Sequence, residues 1–196
     1  PFACSLLTEP FENNLVVRAV RFFCKTFYKS DHLSVTLHKN LPVAAGIGGG
    51  SSDAAATIKA LADFYNVSPA KDRLDQMLME LGADVPVCYD GTPVRILGAG
   101  DKFIAVETAL GGMPVRLINP GKACPTANVF RQFRPPFSEK ADLPQRLSLE
   151  DLRLLDNDLK EAAQQIVPEI EECITLLQSF EGCLHGNLSG SGATCY

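Results

Sequence analysis

The sequence lacks the features that mark several large protein classes. No run of basic residues occurs, and the formal net charge is −5 over 196 residues. A protein that reads a nucleic-acid backbone or an anionic membrane surface normally carries such a run, so neither partner is expected. No apolar stretch approaches the roughly 18–20 residues of a membrane span, and the first residues show no signal-peptide pattern. Seven cysteines are present, yet no Cys-x-x-Cys. Their odd number and irregular spacing argue against a disulfide framework or a zinc site. Cys24 and Cys173 fall in apolar helical patterns and read as buried reduced thiols, as in a cytosolic protein. His38 alternates with apolar neighbours and has no ligand partner at helical or strand spacing, so it reads as structural or solvent-facing. His185 sits in a loop and carries no signal.

What is there is an ordinary globular composition, 46% hydrophobic and 21% charged, with length enough for one large domain or two small ones. The chain begins Pro1-Phe2-Ala3 without Met and stops at Ala193-Thr194-Cys195-Tyr196, in what reads as the middle of a strand. A trimmed product or part of a longer protein is therefore expected.

Periodicity predicts a helix from an Asn13 or Asn14 cap to about Tyr28, with Leu15, Val16, Ala19, Val20 and Phe23 on one face. Leu33, Val35 and Leu37 alternate with Ser34, Thr36 and His38 and predict a half-buried strand. A helical run follows at Asp53–Leu61. Ser68 and Pro69 suit the N-cap and first position of a third helix whose stripe is Leu74, Met77, Leu78 and Leu81. Short strands are expected near Val87–Tyr89, Val94–Leu97 and Val115–Ile118, with Gly111-Gly112 as a linker and a loop at Pro135-Pro136. Two helices are expected at about Asn157–Ile166 and Pro168–Phe180. Ile170, Cys173, Ile174 and Leu177 share a face of the second. The mixture indicates an α+β protein, divided into 1–112 and 113–196.

Residues 46–52 are the most informative. Gly46, Gly48, Gly49 and Gly50 fill four of five consecutive positions, whereas an ordinary turn needs one or two glycines. Such a backbone approaches a ligand without Cβ clashes. It leads into a helix N-terminus, where unpaired N–H groups and the helix dipole favour an anion. Ser51 and Ser52 add hydroxyls able to cap the helix, bond a phosphate or ligate Mg²⁺. The pattern is a phosphate cradle. It is not a Walker A loop, because no Lys follows the glycines. Nor is it the dinucleotide fingerprint, whose third glycine falls on Ser51.

The stretch Pro42-Val43-Ala44-Ala45-Gly46-Ile47-Gly48-Gly49-Gly50-Ser51-Ser52-Asp53-Ala54-Ala55 resembles the ATP-binding motif of the GHMP kinase superfamily. The triple glycine followed by Ser-Ser-Asp-Ala-Ala is most similar to the branch acting on 4-diphosphocytidyl-2-C-methyl-D-erythritol in the non-mevalonate isoprenoid route. Further pieces arrive in the same order: Asn14-Leu15-Val16-Val17-Arg18-Ala19, Gly82-Ala83-Asp84-Val85-Pro86, Asn119-Pro120-Gly121, Thr126-Ala127-x-x-Phe130, Asn157-Asp158-Leu159 and Ser189-Gly190-Ser191-Gly192-Ala193. The resemblance covers almost the whole chain.

It implies a ribosomal-protein-S5-like N-terminal domain with a ferredoxin-like C-terminal domain. It also implies a transferase moving the γ-phosphoryl of ATP to the 2-hydroxyl of that small-molecule substrate, with Mg²⁺, as a monomer or homodimer in the bacterial cytoplasm. Asp84 matches the catalytic aspartate, which takes the hydroxyl proton; by itself an Asp after Gly-Ala reads as a turn former. Pro42, Val43, Ala44, Ala45, Gly46, Ile47, Gly48, Gly49, Gly50, Ser51 and Ser52 would hold ATP. Lys39 and Asn14 match positions near the nucleotide base, or are a solvated lysine and a helix cap. Thr126 and Phe130 match the cytosine pocket, where an aromatic can stack on a base, although a lone Phe is more often core. Gly190, Ser191 and Gly192 would lie near substrate and phosphates, or form a plain turn before a strand.

Two family features do not occur in the sequence: a strand with Ala-Lys-x-Asn, whose lysine assists the aspartate, and a Gly-Tyr-His segment that contacts cytosine. Pro1-Phe2-Ala3 aligns downstream of both. This polypeptide alone is therefore expected to be inactive or barely active, its parent being the kinase. A homoserine or mevalonate type of kinase, or a non-catalytic nucleotide-binding module, are the competing readings.

Overall fold

The computed structural model describes residues 11–98 and 100–196; the opening Pro1-Phe2-Ala3 and Cys4 lie outside them. The chain divides into two units, Pro1–His38 with Gly48–Ala105, and Lys39–Ile47 with Val106–Tyr196. It passes from the second unit to the first between Ile47 and Gly48, inside the glycine run.

In the first unit a short 3-10 turn (Phe11–Asn13) leads into α1 (Leu15–Thr26). Asn14 is its N-cap, the side chain accepting from the Val16 N–H at 2.9 Å, as the sequence predicts. Val16, Ala19 and Phe23 face inward. Helices α2 (Gly49–Phe64), α3 (Lys71–Leu81) and α4 (Val85–Asp90) follow. Phe23, Ile58, Met77, Leu81 and Val85 interlock in one core, each fully buried large side chain contributing about 1.5–3 kcal/mol. The predicted stripe on α3 is buried at Met77, Leu78 and Leu81. Two arginines reach the C-terminal ends of neighbouring helices: Arg18 donates to the Glu80 carbonyl at 3.1 Å and Arg73 to the Thr26 carbonyl at 2.9 Å. The unit closes with an antiparallel hairpin of β1 (Val94–Leu97) and β2 (Lys102–Ala105).

Four expectations for this unit are corrected. Helix α2 starts at Gly49, not Asp53, because Gly48 at φ +68° serves as a left-handed N-cap; neither Ser51 nor Ser52 is the cap. Helix α3 starts at Lys71 with Ala70 as N-cap, two residues beyond Pro69. The Val87–Tyr89 segment is helical, since Pro86 in the first turn fixes a helical φ and outweighs the β propensity of its neighbours. Residues 33–37 keep alternating burial, yet no ladder forms there among the described residues. Alternation sets which face is inward, but a strand also needs a neighbour to pair with.

In the second unit, parallel β3 (Glu107–Thr108) and β4 (Arg146–Leu147) form a two-residue ladder. Helix α5 (Thr126–Gln132) lies between them in sequence. Next come α6 (Leu149–Arg153), α7 (Lys160–Ile166) and α8 (Glu169–Ser179). A capping box starts α6, Ser148 accepting from the Asp151 N–H while the Asp151 carboxylate accepts from the Ser148 N–H. The Ser148 hydroxyl, which also donates to the Asp151 carboxylate at 2.7 Å, and then the Ser148 N–H hold that carboxyl below its ordinary range. The predicted face of α8, Ile170, Cys173, Ile174 and Leu177, is buried against Val129, Ala163, Leu188 and Cys195. The strand expected at Val115–Ile118 reduces to a bridge: Ile118 and Cys195 exchange both backbone hydrogen bonds, at 2.9 and 2.8 Å. Leu188 bridges the other side of Cys195, so the closing segment folds back on itself and keeps only isolated bridges. No helix among the described residues is long and apolar enough to cross a membrane.

Candidate active site

The glycine run serves two structural tasks. In the first unit, Gly48 initiates α2, and the intrahelical ladder begins with the Ser52 N–H donating to the Gly48 carbonyl at 2.9 Å. The N–H groups before it are those that a helix leaves without an internal partner, aligned with the positive end of the dipole. Two elements flank this first turn. Leu15, beside the Asn14 cap of α1, would lie 3.5 Å from a Cβ on Gly50. Cys88 of α4 would lie 3.8 Å from a Cβ on Gly48 and accepts from the Ser52 hydroxyl at 3.4 Å. Asp84 sits one turn before Cys88, as the N-cap of α4; its carbonyl accepts the Cys88 N–H at 3.1 Å. The Asp84 side chain is exposed and makes no capping bond, which leaves the carboxylate available for chemistry rather than for holding the turn.

In the second unit, the start of the same run packs on the closing loop. Gly46 has φ +74°, and a Cβ there would meet the Gly192 carbonyl oxygen at 2.5 Å and that of Ser189 at 2.6 Å. The Ser189 hydroxyl donates to the Gly46 carbonyl at 2.8 Å, and the Thr194 N–H to the Ala45 carbonyl at 3.1 Å. Only glycine fits position 46. Gly46 and Ser189, 143 residues apart in sequence, are therefore packed together. Pro42, Val43 and Ala44 approach it as exposed residues, Ala44 at φ +53°, and Ala45 is buried. Lys39 is exposed at the beginning of this segment.

The closing loop is tied down from several elements. The Thr126 hydroxyl at the head of α5 bonds the Ser191 hydroxyl at 2.8 Å. The Cys124 thiol donates to the Ser191 carbonyl at 3.3 Å; burial pushes that thiol's pKa up, so it stays protonated and a donor. Asn119 donates to the Thr194 hydroxyl at 2.9 Å. Asn157 donates to the carbonyls of Leu188 and Gly190 at 3.0 and 2.7 Å. Asn119 and Asn157 occur in the sequence as parts of ordered motifs, but nothing in their spacing marks them as partners of the loop.

Phe130 and Gly190 line the same cavity of about 590 Å³, together with Phe137, Asn157, Asp158, Ser189 and Tyr196. Phe130 is 55% exposed, so it is a surface aromatic and not core. A lining of aromatic and polar side chains suits a flat heterocycle. For a cation, the donors on offer are the Ser51 and Ser52 hydroxyls at the first turn of α2. Among the described residues no cluster of three His, Cys, Asp or Glu is placed to hold a metal ion. Hydroxyl donors of this kind fit Mg²⁺ when its remaining ligands are phosphate oxygens and water.

Comparison with known proteins places the chain in a family. The family model described as GHMP kinases N terminal domain matches residues 14–92. A protein of Gluconacetobacter diazotrophicus named 4-diphosphocytidyl-2-C-methyl-D-erythritol kinase is 39% identical over the whole chain, which covers 66% of it. One of the same name from Parvibaculum lavamentivorans is 40% identical, again over the whole chain and 69% of the relative. The crystal structure of a 4-(cytidine 5'-diphospho)-2C-methyl-D-erythritol kinase superposes with a TM-score of 0.72 at 26% identity, over 96% of this chain and 70% of that one. The chain thus spans about two thirds of the length of the curated relatives it matches. With identity near 40% along its entire length and a shared fold, the chain belongs to the 4-diphosphocytidyl-2-C-methyl-D-erythritol kinase family of the GHMP kinases.

Proposed function

We propose that the protein containing this chain transfers the γ-phosphoryl group of ATP to the 2-hydroxyl of 4-diphosphocytidyl-2-C-methyl-D-erythritol. The observation that carries the reading is the packing of Gly46 on Ser189 and Gly192. Gly46, held so closely by a second backbone, is a fixed point at the start of the run rather than part of a flexible turn. Phosphoryl transfer asks mainly for positioned N–H donors around a charged, in-line transition state. The first turn of α2 supplies such donors through backbone N–H groups, which explains how a chain of net charge −5 binds a polyanion without a basic patch.

In this reading Gly46–Ser52 hold the phosphates. The exposed Asp84 accepts the proton of the attacking hydroxyl. Thr126 and Phe130 receive the cytosine, with Gly190, Ser191 and Gly192 beside the substrate. Mg²⁺, when bound, offsets phosphate charge, and Ser51 or Ser52 would hold it. Asn14 and Lys39 serve the nucleotide base, Asn14 while also capping α1. Residues 1–112 form the ATP-binding domain, S5-like, and 113–196 the ferredoxin-like one. A cytoplasmic monomer or homodimer completes the proposal.

The test is ADP release by the full-length protein offered, in turn, the cytidylylated methylerythritol, homoserine and mevalonate. Turnover with the first alone is the expected outcome. Turnover with another alcohol alone, or ATP binding with no transfer to any, would overturn it.

A further inference from the structure

The side chain of Asn157 is fully engaged. Its amide nitrogen donates to the carbonyls of Leu188 and Gly190 at 3.0 and 2.7 Å, and its amide oxygen accepts the Leu159 N–H at 3.0 Å. The two ends of the amide cannot be exchanged, because both partners of the nitrogen are acceptors and the partner of the oxygen is a donor. The residue is held from behind as well. Its own N–H donates to the Asp156 carboxylate at 2.8 Å, and its carbonyl accepts the Lys160 N–H at 2.9 Å. Asp156 also accepts from the Lys160 ammonium at 2.6 Å. The amide is thus a rigid two-pronged donor at the entrance to α7.

The peptide it grips is the one on which Gly46 packs. Ser189 lies between the two carbonyls bound by Asn157, and its hydroxyl donates to Gly46 at 2.8 Å. Gly190 takes φ +55°, and a Cβ there would lie 3.1 Å from the Gly46 carbonyl oxygen. A change in the pitch of 188–190 therefore displaces the first glycine of the cradle directly. We infer that Asn157 is a positioning residue for ATP: it fixes the closing loop so that Ser189 and Gly190 set Gly46 in place, without itself touching the nucleotide. The inference rests on the reading of Gly46–Ser52 as the phosphate cradle.

Asn157→Asp tests it in the full-length protein. The substitution keeps the size and the acceptor for Leu159, but turns both donors into an oxygen facing two carbonyl oxygens. Loss of these bonds together with that repulsion lowers kcat/KM for ATP by about tenfold or more. Lowering the pH protonates the introduced carboxyl and restores one donor. The ratio of variant to wild-type kcat/KM therefore rises as pH falls, whereas Asn157→Ala shows no such recovery. Asp156, Asp158 and Lys160 stand beside the introduced carboxyl, and Asn157→Ala, which keeps these neighbours without it, serves as their reference. A merely structural role would lower thermal stability but leave kcat/KM for ATP of the folded protein at the wild-type value. Wild-type kcat/KM in either variant, or a loss in Asn157→Asp that is constant with pH, would overturn the inference.

Amide exchange separates this outcome from failure of the kinase reading. Asn157→Asp should expose the N–H groups of Ser189, Gly192 and Thr194, which are bonded within the loop assembly at 2.9, 2.9 and 3.1 Å, whether or not the protein transfers phosphate. Unchanged protection there would also overturn the inference.

Discussion

Gly46→Ala puts the central packing contact to a quantitative test. Two costs add. Alanine at φ +74° pays the left-handed penalty of about 1–2 kcal/mol. Its Cβ would also lie 2.5 and 2.6 Å from two carbonyl oxygens and 2.9 Å from a carbonyl carbon. These neighbours are backbone atoms that cannot swing aside, so relieving the overlap costs about 1–3 kcal/mol more. Gly121 offers an internal control: it has φ +70° with nothing within 4 Å of a Cβ, so Gly121→Ala should show only the first cost, about 1–2 kcal/mol. Thermal unfolding of both variants reads the difference, each kcal/mol corresponding to roughly 2–4 °C in Tm for a chain of this size. ATP titration should show weakened binding for Gly46→Ala alone. Equal destabilisation by the two substitutions would refute the steric argument and with it the packed cradle.

Other outcomes follow from the same geometry. Phe130→Ala should leave stability within about 0.5 kcal/mol, because the ring is largely exposed, yet weaken the cytidylylated substrate by about tenfold or more through lost stacking; binding and unfolding measurements check the two halves. Asp156 has its pKa lowered chiefly by the Lys160 hydrogen bond, aided by the Asn157 N–H and Asn187. A depressed carboxylate contributes stability that is present above its unfolded pKa of about 3.9 and lost as pH falls through the folded value. Unfolding curves between pH 6 and 3, values chosen to bracket a carboxylate of about 3.9, should therefore show a loss at the acid end that is smaller in Asp156→Asn.

Much of this fold was legible where local chemistry decides it. Asn14 caps α1 and the apolar stripes of α3 and α8 are buried because 3.6-residue periodicity and capping act within a few residues. The start of α2 was misread because glycine normally signals the end of a helix, and here a left-handed Gly48 opens one. Helix α4 was hidden by the β-branched and aromatic residues around Pro86, although Pro in a first helical turn was itself the signal. The Leu33–Leu37 segment shows that alternation predicts a face but not a ladder.

For the candidate site, both small-residue loops were conspicuous in sequence, whereas Asp84 stood out only through the family resemblance. The division of the loops was not conspicuous: Gly46 packs with Ser189–Gly192, while Gly48–Ser52 belong to the turn flanked by Leu15 and Cys88. Contacts across 143 residues leave no trace in spacing. For the same reason the grip of Asn157 on the closing loop emerged only from the hydrogen bonds.

The most direct test of the account is Asp84→Asn in the full-length protein, with ADP release and ATP affinity measured side by side. The side chain is exposed and makes no capping bond, so the change should leave stability and ATP binding as they are. Removing the proton acceptor should lower kcat by about a hundredfold or more. Turnover close to wild type would contradict the assignment of Asp84 as the base and, with it, the proposed mechanism.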